Sequence, residues 1–336
     1  MATNKKINYS KLLIGLVILL FFIYLFLHFS QVSDIPKIIS SLNPIIIIAL
    51  LILEILFLVN RGSIYKFLYA KMQAFVNIIE MTELFCISYT LNIIAPSVGI
   101  SGIAFYISQA ERHKISKTKV VLINLLFYFA NYISIAFLLI LSCIYFLITK
   151  NTNYYVLNTI WIILTVLLLI FLLIYLAYKN NQFLQKIVNI ATKFINFFLK
   201  ILRMNLITQK QSATIIEEIH YFKIQFSKDK SLLWQPFWLF ILGNIYEIIT
   251  IYLIIVGLGG TIGIVPTIVS YSVGLLFMLL SITPSGIGVV EPVMALILTS
   301  FGVSWEIAGL TVLIFRAVTF WLPLPVGLVL TKKYFK

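Results

Sequence analysis

Apolar residues in this chain run in long blocks instead of alternating with polar ones. Near-continuous hydrophobic stretches cover about 12–29, 42–60, 120–148, 156–178, 232–257 and 306–330. Each is close to the ~20 residues that a helix needs to cross a bilayer. Two further apolar stretches, 84–110 and 258–305, are interrupted. The first reads N-I-I-A-P-S-V-G-I-S-G-I-A and carries Pro96, Ser97, Gly99 and Gly102. The second reads S-I-T-P-S-G-I-G-V-V-E-P and carries Pro284, Ser285, Gly286, Gly288 and Glu291. Proline removes a helix donor and glycine loosens the backbone. A broken helix at membrane depth survives only where it is buried in protein or lines a wet cavity. The second stretch therefore reads as half of a polar site at the bilayer midplane.

The distribution of Lys and Arg decides how the broken stretches thread. Residues 1–11 hold 3, residues 61–119 hold 7, residues 179–230 hold 9 and residues 331–336 hold 3. The connections 30–41 and 149–155 hold only Lys37 and Lys150. Basic loops stay cytoplasmic. With the N-terminus inside, the first two helices go out and back, which places 61–83 inside. The segment R-H-K-I-S-K-T-K at 112–119 is also basic. So 84–110 enters and leaves on the cytoplasmic side, each arm about 18 Å long at 1.5 Å per residue. By the same parity 258–305, which has no Lys or Arg, begins and ends outside. Its first arm, about 263–282, is long enough to span, but the return arm to Phe301 is too short for a full crossing.

The expected fold is an all-α polytopic membrane protein. About six full transmembrane helices and two re-entrant helical hairpins form an inverted repeat, with half-repeats near 1–148 and 156–336. Inverted repeats with broken helices in matching positions are a transporter pattern. The whole of 1–336 reads as one membrane domain. Its long polar connection, 179–230, carries Lys179, Lys186, Lys193 and Lys200 every seven residues among apolar positions. That is an amphipathic helix, suited either to an anionic cytoplasmic leaflet or to packing under the bundle. The first apolar block is longer than a signal-peptide core and has no small-residue cleavage site after it, so it is read as retained.

Composition agrees with this picture. The 336 residues are 61% hydrophobic and 11% charged, with a mean hydropathy of +1.06. The net charge of +14 follows from the cytoplasmic loops and gives no reason to invoke nucleic acid. Cys86 and Cys143 lie in apolar blocks, and His28, His113 and His220 lack ligand spacing. No metal, cofactor or catalytic residue is expected.

Charges inside hydrocarbon are costly, about 2.5–3.5 kcal/mol even on the lenient insertion scale. Glu291 follows the second turn and Arg316 lies mid-way along the final block. The two are expected to pair, either sharing an anionic ligand clamped by Arg316 or as a salt bridge that only fixes the hairpin. Glu54 and Glu247 also fall within apolar blocks, as protonated structural residues or as a proton relay. Glu80, Glu83, Glu111 and Arg112 bracket the first hairpin and are expected at the solvated mouth. The half-helices starting near Val98 and Val289 would aim amide donors at the midplane, favouring an anionic group such as a phosphate.

T-P-S-G-I-G-V-V-E-P, followed by L-I-F-R-A-V-T-F-W-L-P-L-P-V-G, resembles the C-terminal signature of the lysylphosphatidylglycerol synthase transmembrane region. That is the flippase-like family of multiple peptide resistance factors and their standalone relatives. The earlier A-P-S-V-G-I-S-G resembles its first half. Pro284, Gly286, Gly288, Glu291 and Arg316 match the family pattern. Ser285 stands where many relatives have glycine, and the first turn lacks a double glycine. The resemblance implies movement of lipids, often aminoacylated phosphatidylglycerol, between leaflets of the plasma membrane.

In full-length members the aminoacyl transfer belongs to a soluble C-terminal domain. The chain stops at Lys336, so lysyltransferase activity is expected to be absent unless a separate soluble synthetase supplies it. The expected function is a flippase for an anionic or aminoacylated phospholipid or a lipid-linked intermediate. The substrate would be held between Pro96–Gly102 and Pro284–Glu291 by Arg316 and the hairpin amides. The alternatives are a lipid aminoacyl- or glycosyltransferase, or a membrane partner of such an enzyme.

Overall fold

The computed structural model describes residues 42–94, 100–149, 180–201, 229–280 and 284–334, with isolated positions between 161 and 179 and between 213 and 224. All regular structure among the described residues is helical. The chain divides into two compact units, residues 28–165 with 231–336, and residues 1–27 with 166–230. The first holds every candidate site residue.

In that unit the order is α1 (Pro44–Lys71), α2 (Ile78–Ile94), α3 (Ile100–Ser108) and α4 (Lys117–Thr149). Within the second unit lies α5 (Asn181–Ile201). The first unit resumes with α6 (Ser231–Gly257), α7 (Ile264–Leu280), a 3-10 turn (Pro284–Gly286), α8 (Val290–Ser300), α9 (Trp305–Arg316), a π turn (Ala317–Trp321) and α10 (Pro323–Tyr334). Among the described residues, four stretches are long and apolar enough to cross a membrane: 44–71, 117–145, 231–257 and 305–334. The expected spans at 12–29 and, for the most part, 156–178 lie outside the described residues.

The start of α1 is set locally. Asn43 caps it by accepting a hydrogen bond from the Ile45 amide at 2.9 Å, and Pro44 occupies the first helical position, where its missing N–H costs nothing. Along α1, Ile45, Ile48, Ile52, Ile55 and Val59 are exposed, whereas Leu50, Glu54, Leu58 and Arg61 are buried. Both sets recur at helical spacing, so one stripe is wholly apolar and outward while the charged stripe faces in. A water-soluble helix would be arranged the other way. This inside-out pattern is what a hydrocarbon solvent requires.

α6 packs antiparallel on α1. Gly257 lies against Leu42 and Ile46 at one end, and Gly243 against Asn60 and Arg61 at the other. At Gly243 a Cβ would stand 2.6 Å from Asn60 Oδ1 and 3.3 Å from Arg61 Cζ, so only glycine allows this approach. The broken stretches double back on themselves. Ser101 Oγ donates to the Leu91 carbonyl at 3.1 Å and the Gly102 amide to Asn92 Oδ1 at 2.8 Å, which lays α3 along α2. Ser270 Oγ donates to the Met294 carbonyl at 3.2 Å, laying α8 along α7. Seventeen-residue α7 and eleven-residue α8 match the long and short arms read from the sequence.

The last apolar block is one helix interrupted by the π turn, where the Leu322 amide reaches back five residues to the Ala317 carbonyl at 3.0 Å. Pro323 has no N–H for the carbonyl four residues before it, at Thr319. Tyr89 from α2 supplies the missing donor, its hydroxyl bonding to Thr319 O at 3.0 Å. α10 packs against α2 beyond this point.

In α5, Leu184 and Val188 are buried, while Lys186 and Lys193 are exposed. This is the amphipathic pattern expected of the connection, over its described part.

Candidate functional site

The second break is built on left-handed backbone. Ser285 has φ 49° and ψ 26°, and Gly286 follows at φ 72°. Ser285 is half-buried and accepts a conformation that costs a side-chain-bearing residue roughly 1–2 kcal/mol. At Gly286 a Cβ would collide with Val290 and lie 2.9 Å from Met278 Cα. Glycine is required there on both counts.

Arg316 holds this turn. It is buried at 7% exposure at the end of α9, immediately before the π turn. Its Nε donates to Glu291 Oε1 at 2.8 Å and its Nη2 to the Ser285 carbonyl at 2.9 Å. The guanidinium also lies over the Phe320 ring, 5.2 Å from its centroid. Glu291 Oε2 in turn accepts from the Gly288 amide at 2.7 Å. One carboxylate therefore neutralises the guanidinium and holds the Gly288 amide, two residues before α8 begins.

In this structure the Gly288 amide is taken by Glu291. The pairing of Glu291 with Arg316 stands as expected.

In the first break, Gly102 is buried and its amide is taken by Asn92. Pro96, Ser97 and Gly99 lie outside the described residues. The two broken stretches do meet, since α2 touches the Pro284–Gly286 turn.

The acids that bracket the first broken stretch are paired. Arg112 Nη2 lies 3.3 Å from Glu80, and Lys117 Nζ lies 3.4 Å from Glu111. Glu83 Oε2 accepts from Lys333 Nζ and Tyr334 OH, both at 2.6 Å. Burial alone raises the Glu83 pKa, but these two hydrogen bonds and the Lys333 charge outweigh it and hold it below the ordinary value.

Arg61 was missed by the sequence reading. Counted there with the cytoplasmic positive charges, it is instead inside α1 and 5% exposed. Helical spacing gave a signal that went unused: Arg61 is seven residues from Glu54 and so shares its face.

A chain of apolar-faced helices with charges turned inward is a multi-pass helical membrane protein. Its sequence matches the family model for the lysylphosphatidylglycerol synthase transmembrane region over residues 12–327. The chain belongs to that family. It is 27% identical over 332 residues to a UPF0104 membrane protein of Methanocaldococcus jannaschii, covering 96% of this chain and 94% of that one. No solved structure matches it.

Proposed function

We propose that the protein moves a phospholipid between leaflets of the plasma membrane, with both termini cytoplasmic. The substrate class is an anionic or aminoacylated phospholipid, or a lipid-linked intermediate with such a head group. The observation that carries this reading is the buried Arg316, tied to the Ser285 carbonyl and to Glu291 at a break between two half-helices. A phosphate entering the site would exchange with Glu291 for the guanidinium, taking over a charge-assisted bond already placed. The Gly288 amide released by Glu291 would become its second donor.

Supporting the reading further is the order of elements: long helix, doubled-back helix, long helix, occurring twice. We take the two sets as inverted repeats and the doubled-back helices as re-entrant, with exposure alternating as one repeat moves against the other.

The test is purified full chain in liposomes carrying a trace of head-group-labelled phosphatidylglycerol, quenched from outside. Faster loss of the inner-leaflet signal than in protein-free liposomes is expected, and Arg316→Gln should abolish the gain. Appearance of aminoacylated phosphatidylglycerol in cells expressing this chain alone would overturn the reading in favour of a synthase.

A further inference from the structure

Glu54, Arg61 and Glu247 take no part in the Arg316 latch. All three are 5% exposed or less. The antiparallel packing of α1 on α6 sets Ile46 against Gly257 and Asn60 against Gly243, a register that brings Glu54 to the level of Glu247 and puts Arg61 beside Asn244.

Among the described residues, no carboxylate lies within salt-bridge distance of Arg61. Its Nη2 donates to Asn244 Oδ1 at 3.0 Å, and Tyr271 OH donates to the same oxygen at 3.1 Å. Asn244 Nδ2 donates to Ser134 Oγ at 3.1 Å. The guanidinium lies over the rings of Phe57 and Phe240, 4.5 and 4.4 Å from their centroids. Both carboxyl oxygens of Glu54, Nη1 of Arg61 and Oδ1 of Asn60 are buried without a hydrogen-bond partner.

The titratable groups facing the two acids come from α1, α2, α7 and α9. Arg61 on α1 acts on both, and Arg316 on α9 acts on Glu247. Cys86 and Tyr89 on α2 and Tyr271 on α7 complete the set. Thiols and phenols in an apolar interior stay neutral. Arg316 is already balanced by Glu291. What remains is two carboxylates against one guanidinium. A net charge buried in an apolar interior is strongly disfavoured, and one proton shared by the two acids removes it.

We infer that Glu54 and Glu247 form a one-proton carrier site, loaded in this conformation and coupled through Arg316 to the latch on Ser285 and Glu291. When the site empties, Arg61 can balance only one of the two carboxylates, and the other competes with Glu291 for Arg316 and loosens the turn. When the site is loaded, Arg61 balances the remaining carboxylate and Arg316 is left to Glu291. The ligand is a proton, taken up and released as the interior opens to water. The coupling rests on the transport reading above; the loaded carboxyl pair does not.

Infrared spectroscopy of the purified full chain in nanodiscs tests the site. A protonated-carboxyl stretch that shifts in deuterium oxide is expected in the wild type at neutral pH. Glu54→Gln or Glu247→Gln alone should each abolish it, because Arg61 then balances the single remaining carboxylate. Arg61→Gln should roughly double the band. The wild-type spectrum decides the matter even if a variant fails to fold: absence of the band overturns the site.

Coupling is read from labelled phosphatidylglycerol movement in liposomes under opposed pH gradients. A difference of up to about tenfold per pH unit is expected for one proton, falling to less than about twofold in Glu54→Gln. Movement insensitive to the gradient overturns the coupling alone. No movement under any condition overturns transport and coupling together, while the infrared band still decides the site.

Discussion

Arg316 and Glu291 are 25 residues apart in sequence and 2.8 Å apart in the fold, with side chains 9% and 17% exposed. The same guanidinium reaches the Ser285 carbonyl, so one side chain on α9 closes the break between α7 and α8.

Removing one partner of such a pair strands the other. Arg316→Gln or Glu291→Gln is expected to destabilise the protein by about 3 kcal/mol, since breaking a buried pair costs 3–5 and this one is slightly open to solvent. The double variant should recover at least 1 kcal/mol of the summed loss. Thermal unfolding in detergent, run as a double-mutant cycle, measures the coupling. A purely additive result would mean that the contact is energetically idle.

Backbone strain at the turn predicts opposite behaviour at adjacent positions. Ser285→Gly relieves a left-handed conformation but frees the unfolded chain, so stability should change by less than about 1 kcal/mol. Gly286→Ala meets Val290 and the Met278 backbone and should cost at least 2–3 kcal/mol. Unfolding midpoints of the two variants should differ clearly.

Tyr89→Phe removes the donor that replaces the absent Pro323 N–H at the Thr319 carbonyl. The expected cost is about 1–2 kcal/mol. Because the π turn lies next to Arg316, transport under the proposed function should fall more than stability does. Equal losses in both would argue that Tyr89 serves only the fold.

Glu83 ties α2 to the end of α10 through Lys333 and Tyr334. Its pKa is held below the unfolded value of 4.5. The stabilisation is therefore fully present above that value and is lost as the pH falls through the lower folded value. Amide exchange across 328–334 should stay slow at neutral pH and accelerate only below about pH 4.5. Glu83→Gln should show fast exchange throughout. The contact is largely solvated, so the effect is local.

Much of the architecture was legible because hydrocarbon imposes simple rules on a chain. Apolar length marked helices at about 42–60, 120–148, 232–257 and 306–330, which the structure gives as 44–71, 117–145, 231–257 and 305–334, and Pro and Gly marked where two others break. The pairing of Glu291 with Arg316 was legible for the same reason: charges deep in a bilayer must find each other.

The fate of Arg61 was not legible in that way. It stands at the head of a basic run, and loop charge is counted by proximity in sequence. The helix instead continues to Lys71. Where α1 meets α6 is set by a glycine small enough to let Asn60 and Arg61 approach. The sequence alone determined a polytopic helical membrane protein of the lysylphosphatidylglycerol synthase transmembrane family, with its breaks and its Glu291–Arg316 pair. Only the tertiary structure decided that Arg61 lies inside with Glu54 and Glu247, because the register that sets Arg61 against Asn244, 183 residues away, depends on packing that no local pattern encodes.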